Sequence, residues 1–194
     1  MILEIILTTV NPDGSIHLAP MGLTLTEPNA ASESMPAGAS LAPFAPSRSL
    51  DNLIRRGTAV VNICDDVRIF AGCLTGRRDW PTINLSNHNG EARVAAALSY
   101  QVVKAAAFGT NSERPRFSCT VVESQQLKAF GGFCRAQSAV IEAAILVSRF
   151  NRTPARELTR EFEQLAIRVQ KTAGAAEFEA WGWLQEAFEK ALNK

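Results

Sequence analysis

The most informative feature of this 194-residue chain at first sight is what it lacks. No GxGxxG fingerprint follows a β-rich run, which excludes a separate dinucleotide-binding Rossmann domain. The formal net charge is +1, so composition gives no sign of a nucleic-acid or membrane surface. No apolar run is long enough to span a bilayer, and no basic, apolar leader opens the chain, so the expected compartment is the cytoplasm. The four cysteines, Cys64, Cys73, Cys119 and Cys134, lie far apart without CxxC spacing. They read as buried free thiols of a reducing compartment, with a zinc site or disulfides as the lesser alternative. Histidine is equally sparse. His17 lies in a structured arm and reads as a core residue, and His88, in the polar loop Asn87–Gly90, reads as solvated. No catalytic triad or metal cluster stands out, so acid–base and metal chemistry must give way to something a bound group would supply.

What is present fits one domain, or one domain with a helical appendage, since 46% of the residues are apolar and 20% charged. The organising stretch is residues 44–62, FAPSRSLDNLIRRGTAVVN. Pro46 suits a helix start, because its φ is preset and its missing N–H would be unpaired there. Ser47, Arg48 and Ser49 then place two hydroxyls and a guanidinium where unpaired N–H groups and the helix dipole favour an anion. Leu50, Leu53 and Ile54 form one apolar stripe, Gly57 stops the helix, and residues 58–63 read as a buried strand. Two readings remain open at this point: a phosphate clamp, or a serine cap beside a solvated arginine.

The rest of the chain falls into two parts. Residues 1–10 are a β-rich run, Asn11–Gly14 a tight turn, and Ser15–Leu25 the second arm of a hairpin. Pro20–Gly22 reads as an interrupted strand end or bulge, where a flat ligand can lie, or as an edge-strand device. Residues 27–43, rich in Ala, Ser and Pro, read as a mobile surface loop able to close over a ligand, or as an inert insertion. Asp65 and Asp66 read as the cap of a short helix ending near Gly76 rather than a carboxylate pair. Arg77, Arg78, Asp79 and Trp80 form a loop that can stack on a planar ligand, pair with anions or satisfy itself. Strands are expected over 91–108 and 116–127. With four or more strands before residue 130, closure into a small barrel removes the edges. Beyond it the period becomes helical, over 135–150, from Thr153–Pro154 to Ala173, and over 175–192, the last with an aromatic stripe that reads as core or dimer interface.

The stretches LTTVNPDGSIHLAPMG, FAPSRSLDNLIRRGTAVVN, DDVRIFAGCLTGRRDWP, ERPRFSC, RAQSAVIEAAILVSRF and KTAGAAEFEAWGWL resemble a domain-of-unknown-function family of FMN-binding split barrels. That family is related to flavin reductases and to the pyridoxamine-phosphate oxidase superfamily. The resemblance implies a mainly β fold with α: a split β-barrel of about six antiparallel strands over residues 1–130, and a C-terminal helical extension over 131–194 packed on the barrel or a dimer partner. It further implies a homodimer with FMN near the subunit boundary, in a family found with tetrahydromethanopterin-linked one-carbon metabolism. Carried over residue by residue, it puts Ser47, Arg48, Ser49 and Asn52 at the FMN phosphate. The backbone of Ala19, Pro20, Met21 and Gly22 falls beside the isoalloxazine ring, and Arg77 and Trp80 are candidates to reach across the dimer.

The expected function is an FMN-dependent oxidoreductase passing electrons between reduced nicotinamide, NAD(P)H, and a small-molecule acceptor. A bound flavin carries such chemistry without a protein acid or base, in keeping with the missing triad. The alternatives are a non-catalytic FMN-binding or sensing module and a dimeric scaffold with an empty ancestral site. No nucleic acid, membrane or metal is expected as a partner.

Overall fold

A computed structural model describes residues 1–25, 38–108, 113–150 and 153–193. The chain forms two compact units: residues 1–64 with 81–129, and residues 65–80 with 130–194. The expected division at residue 130 is corrected in one respect. The short helix after residue 65 belongs with the C-terminal helices, because its apolar face is buried among them.

The first unit is a closed six-stranded barrel. Strand β1 (Ile2–Val10) pairs along its whole length with β2 (Ile16–Thr24), through a turn that Asn11 and Asp13 fasten. The Asp13 carboxylate accepts from the hydroxyl and amide of Ser15 at 2.6 and 3.0 Å, bonds that hold its pKa below the usual range. Gly14 turns at φ 84°, a conformation that favours glycine. Next come β3 (Ser40–Leu41), helix α1 (Arg48–Arg56) and β4 (Thr58–Ile63). The expected loop over 27–43 is corrected at its end, since Ser40 and Leu41 are buried and pair with both neighbouring strands. Its larger part lies outside the described residues.

After helix α2 (Val67–Leu74) come the short strands β5 (Thr82–Asn84) and β6 (Ala92–Val94), then β7 (Ser99–Phe108) and β8 (Arg116–Gln126). The barrel order is β1-β2-β3-β8-β7-β4, with β5-β6 as a separate hairpin. One long strand over 91–108 is therefore corrected to two. Alternation directs Ile5, Leu7, Leu23, Leu41, Val61, Val103 and Phe117 inward as one apolar cluster. Leu50 and Leu53 of α1 join that cluster. Ile54, one position further round the helix, is 67% exposed, which corrects the expected three-residue stripe.

The hairpin β5-β6 is tied to the barrel by the buried Asn62. Its amide donates to the Ile6 carbonyl at 3.0 Å and to Thr8 Oγ1 at 3.2 Å, while its Oδ1 accepts from the Val94 amide at 2.8 Å. A buried amide with all these bonds is inexpensive to bury; without them each unpaired group would cost about 1–3 kcal/mol.

The second unit is helical: α2, then α3 (Arg135–Ser148), α4 (Ala155–Thr172) and α5 (Ala175–Leu192). Asp66 caps α2 by accepting from the Arg68 amide at 3.2 Å, and its carboxylate also holds the Arg68 guanidinium, raising the pKa of that arginine further. Pro154, rather than Thr153, occupies the cap position of α4, one residue later than expected. Trp181, Leu184 and Phe188 of the stripe on α5 are core, while its first residue, Phe178, is exposed; Phe162 of α4 stacks on Trp181 at 4.5 Å and on Phe188 at 4.3 Å. Val67 and Ala71 of α2 share this core with Ala139, Val140 and Leu184. Gly72 is required by a close approach, since a Cβ there would lie 2.7 Å from the Trp80 ring. Among the described residues no helix is long and apolar enough to cross a membrane.

Candidate flavin-type site at the barrel opening

Strand β3 supplies only two residues to the barrel. It pairs Leu23 and Thr24 on one side and Phe117 and Ser118 on the other. Beyond those rungs β2 keeps a partner only in β1, and β8 only in β7, so Ile16–Gly22 and Thr120–Gln126 carry ladder edges with no strand opposite among the described residues. Since β3 is antiparallel to both neighbours, these edges leave it in opposite directions and form two separate gaps, of which the one along β2 is the barrel opening that α1 adjoins.

Ala19, Pro20, Met21 and Gly22 all lie on the opened part of β2, opposite Leu7, Ile6, Ile5 and Glu4 of β1. The expected interruption at Pro20 is corrected: the strand runs through it without a break. Proline has no N–H to give, and its open edge needs none, so the residue fits here for the reason it fits at any sheet edge. All four residues are half-buried, neither sealed in the core nor fully in solvent. Gly22 has a local cause as well, because a Cβ there would come within 2.9 Å of the Ile2 side chain.

Helix α1 touches both β1 and β2. Ser47 is the cap, in extended conformation, and its Oγ accepts from the Leu50 amide at 3.3 Å. Pro46 therefore precedes the cap instead of occupying the first helical position. Gly57 ends the helix at φ 64° and donates to the Leu53 carbonyl. The amides of Arg48 and Ser49 have no carbonyl acceptor among the described residues, as a helix start leaves them. Arg48 is exposed and makes no ion pair among the described residues, and its charge helps lower the Asp13 pKa. Ser49 is buried. An exposed guanidinium, a helix start and serine side chains are a donor set that suits a phosphate monoester.

Asn52 is placed differently from the other three. At 1% exposure, its amide donates to Thr9 Oγ1 at 3.0 Å and to Asn11 Oδ1 at 2.9 Å, and its own Oδ1 accepts from Arg55 at 3.3 Å. Arg55 also donates to the Val10 carbonyl. Asn52 thus fastens α1 to the end of β1 and fixes where the helix start lies.

Sequence reasoning missed a second polar array on the outer face of the same unit. Glu123 accepts from Tyr100 at 2.6 Å and lies 2.8 Å from His88 Nε2, so His88 is half-buried and partnered, not solvated. The cause is a β-bulge: Val102 faces Glu123 and Val103 faces Val121, leaving Val122 as the extra residue that turns Glu123 outward. Those two hydrogen bonds hold the Glu123 pKa below its ordinary value, and the one that Tyr100 donates raises the pKa of Tyr100. The unfolded chain therefore binds more protons as the pH falls below about 4.5, the ordinary value for Glu123. Stability is expected to be fully held at neutral pH and to decline through that acid range. Urea midpoints measured from pH 7 to 3 should fall more steeply for wild type than for Glu123→Gln.

Arg77 and Trp80 belong to the helical unit. The Arg77 guanidinium lies 4.7 Å over the Trp183 ring and 3.8 Å from Glu186, and Trp80 Nε1 donates to the Arg77 carbonyl at 2.8 Å. The loop satisfies itself within its own unit. The Cys73 and Cys119 thiols are both pushed up to about 11 by burial, and the four cysteines are free. No cluster able to hold a metal ion occurs among the described residues.

Solved structures share this fold. An FMN-bound protein from Methanosarcina mazei, itself matched by the DUF447 family model, superposes with a TM-score of 0.79 over 96% of this chain and 94% of its own, at 16% identity. The Pseudomonas fluorescens 2-nitrobenzoate 2-nitroreductase NbaA superposes at 0.51 over 64% of each chain, with 18% identity. An FMN-binding protein from Thermus thermophilus, with bound p-hydroxybenzaldehyde, superposes at 0.53 over 68% of this chain and 75% of its own, with 9% identity. At these identities the likeness establishes the fold alone, a six-stranded barrel with added helices. A comparison with curated proteins found no match. The model described as the N-terminal domain of a protein of unknown function, DUF447, matches residues 3–128, and its C-terminal counterpart matches residues 134–186. The chain belongs to the DUF447 family.

Proposed function

We propose that the protein binds FMN at the barrel opening and uses it as an oxidoreductase, taking electrons from reduced nicotinamide and passing them to a small-molecule acceptor. What supports this reading is a β2 edge at Ala19–Gly22 with no strand opposite among the described residues, on a strand that helix α1 touches, and at the start of that helix an Arg48 without an ion pair among the described residues. Arg48 and the hydroxyls of Ser47 and Ser49 hold the phosphate. The open β2 edge presents backbone groups to the isoalloxazine ring, and Pro20 removes one donor from that row. Asn52 acts on the phosphate by holding α1 in place. A bound flavin supplies hydride and single-electron transfer, so the chain itself need only bind, orient and tune it.

The FMN-bound family member from Methanosarcina mazei supports the choice of cofactor, and the 2-nitroreductase supports the reaction class. A homodimer, with FMN near its boundary and Arg77 and Trp80 toward the partner, belongs to the same proposal. So do a cytoplasmic setting and an acceptor from tetrahydromethanopterin-linked one-carbon metabolism.

The test is an absorption spectrum of the purified protein with FMN, then anaerobic addition of NADH or NADPH. Bound flavin bands that bleach are the expected result. Bands that persist would replace the enzyme with a flavin-storing or sensing module, and no binding at micromolar FMN would overturn the site.

A further inference from the structure

Whatever fixes the direction of α1 also fixes the donors at its start. The polar anchors of the helix described above meet the barrel at one place. Asn52 and Arg55 both bond to residues 9–11 at the end of β1, and Asn52 stands at the middle of the nine-residue helix. An anchor there acts as a pivot. Leu50 and Leu53 press the helix onto the core, but apolar burial is not directional. About a central pivot, a shift of the last turn of a rigid helix moves its first turn by as much in the opposite direction. The tilt is therefore set by a second anchor at the far end.

Arg56, in the last turn, supplies it. Its Nη2 donates to the Asn89 carbonyl at 2.7 Å and lies 4.0 Å from Glu91 Oε1. Both partners belong to the connection between β5 and β6, which is itself held in place. The Leu85 amide donates to the Glu91 carbonyl at 2.9 Å, Thr8 Oγ1 donates to the Ala92 carbonyl at 2.6 Å, and His88 meets Glu123. Glu91 is the only buried charged residue among the described residues, and Arg56 is the one cation paired with it there. A carboxylate out of water demands a partner, so Glu91 draws the guanidinium to one place. Arg56 takes that orientation even though its Nε is left buried without an acceptor among the described residues.

We propose that Arg56 and Glu91 are positioning residues for the phosphate site at the other end of α1. The inference rests on the flavin reading for the ligand. Neither residue touches the phosphate. The pair sets the tilt that aims Arg48 and the Ser49 hydroxyl, donors that serve a ligand only while held within about 0.5 Å of their productive geometry.

The experiment is calorimetric titration with FMN of wild type, Arg48→Ala, Arg56→Met and the double variant, with urea unfolding of each. Arg56→Met is expected to raise the FMN dissociation constant about threefold to tenfold in the folded protein. On the Arg48→Ala background the same change is expected to cost less than about twofold, because the contact it aims is already gone. Arg56→Lys, which keeps a cation opposite Glu91, should recover part of the loss. Should Arg56→Met fail to fold, Glu91→Gln takes its place in the same cycle. An unchanged FMN affinity, or losses that simply multiply in the double variant, would make the pair structural only and overturn the inference. A wild type that does not bind FMN, or an Arg48→Ala protein that binds it equally well, fails the flavin reading itself and leaves the pair nothing to position. That outcome is told apart because it requires no change at Arg56.

Discussion

Replacing Arg48 by alanine is expected to raise the dissociation constant for FMN roughly 10- to 100-fold, the equivalent of about 1.5–3 kcal/mol for charge-assisted hydrogen bonds to a phosphate. The residue is exposed and makes no ion pair among the described residues, so nothing in the fold depends on it. The unfolding free energy from urea titration should change by no more than about 0.5 kcal/mol, the ordinary range for a surface substitution. Arg48→Lys should recover only part of the affinity, because an ammonium keeps the charge but lacks the planar fork. Turnover with reduced nicotinamide should fall with flavin occupancy and return as FMN is raised. Since the contact is between exposed charges, the penalty should shrink as salt rises from about 0.05 M to about 0.5 M and the Debye length shortens. An Arg48→Ala protein that binds FMN as tightly as wild type would remove the phosphate from this helix start.

Asn52→Leu should give the opposite signature, a large loss of stability with a smaller loss of affinity. The substitution keeps the volume but withdraws both hydrogen bonds that Asn52 donates, to Thr9 Oγ1 and Asn11 Oδ1. Asn11 cannot turn its amide to compensate, since its Nδ2 already donates to Ser15 at 2.9 Å. Two buried polar groups left without partners cost about 2–5 kcal/mol together. Arg55 loses an acceptor as well. Equilibrium unfolding measures the first effect and FMN titration of the folded fraction the second. Were Asn52 chiefly a phosphate ligand, affinity would drop while the unfolding midpoint stayed in place.

These two residues also show where a sequence is readable. The helix start at Ser47, the glycine stop at Gly57 and the buried strand after it follow from local rules, because capping, left-handed φ and β-branched runs are decided within a few residues. The barrel and the helical period of the last third are legible for the same reason. Asn52 is different. Its role depends on Thr9 and Asn11, more than 40 residues earlier, and no local pattern encodes that meeting. Glu123 and His88 were unreadable because one bulged residue, Val122, reverses the faces of the strand after it, and nothing in TVVES marks which residue will bulge. Pro20 misled in the other direction. A proline in a strand signals an interruption or an edge, and only the pairing of β2 with β1 alone decides for the edge. Ile54 shows the limit of periodicity on a nine-residue helix, where one step of rotation separates core from solvent.

The allegiance of α2 bears on how the chain can be divided. The family's two halves part between residues 128 and 134, yet Val67 and Ala71 are buried among residues that lie on the far side of that boundary. A ribosome delivers α2 more than 60 residues before α3 exists to receive it, so that helix must wait with its apolar face uncovered while the barrel strands are made. The same holds for any gene fusion, truncation or evolutionary shuffling that treats the first 130 residues as a portable module. A cut at residue 130 therefore leaves the core of the second unit without the side chains of α2.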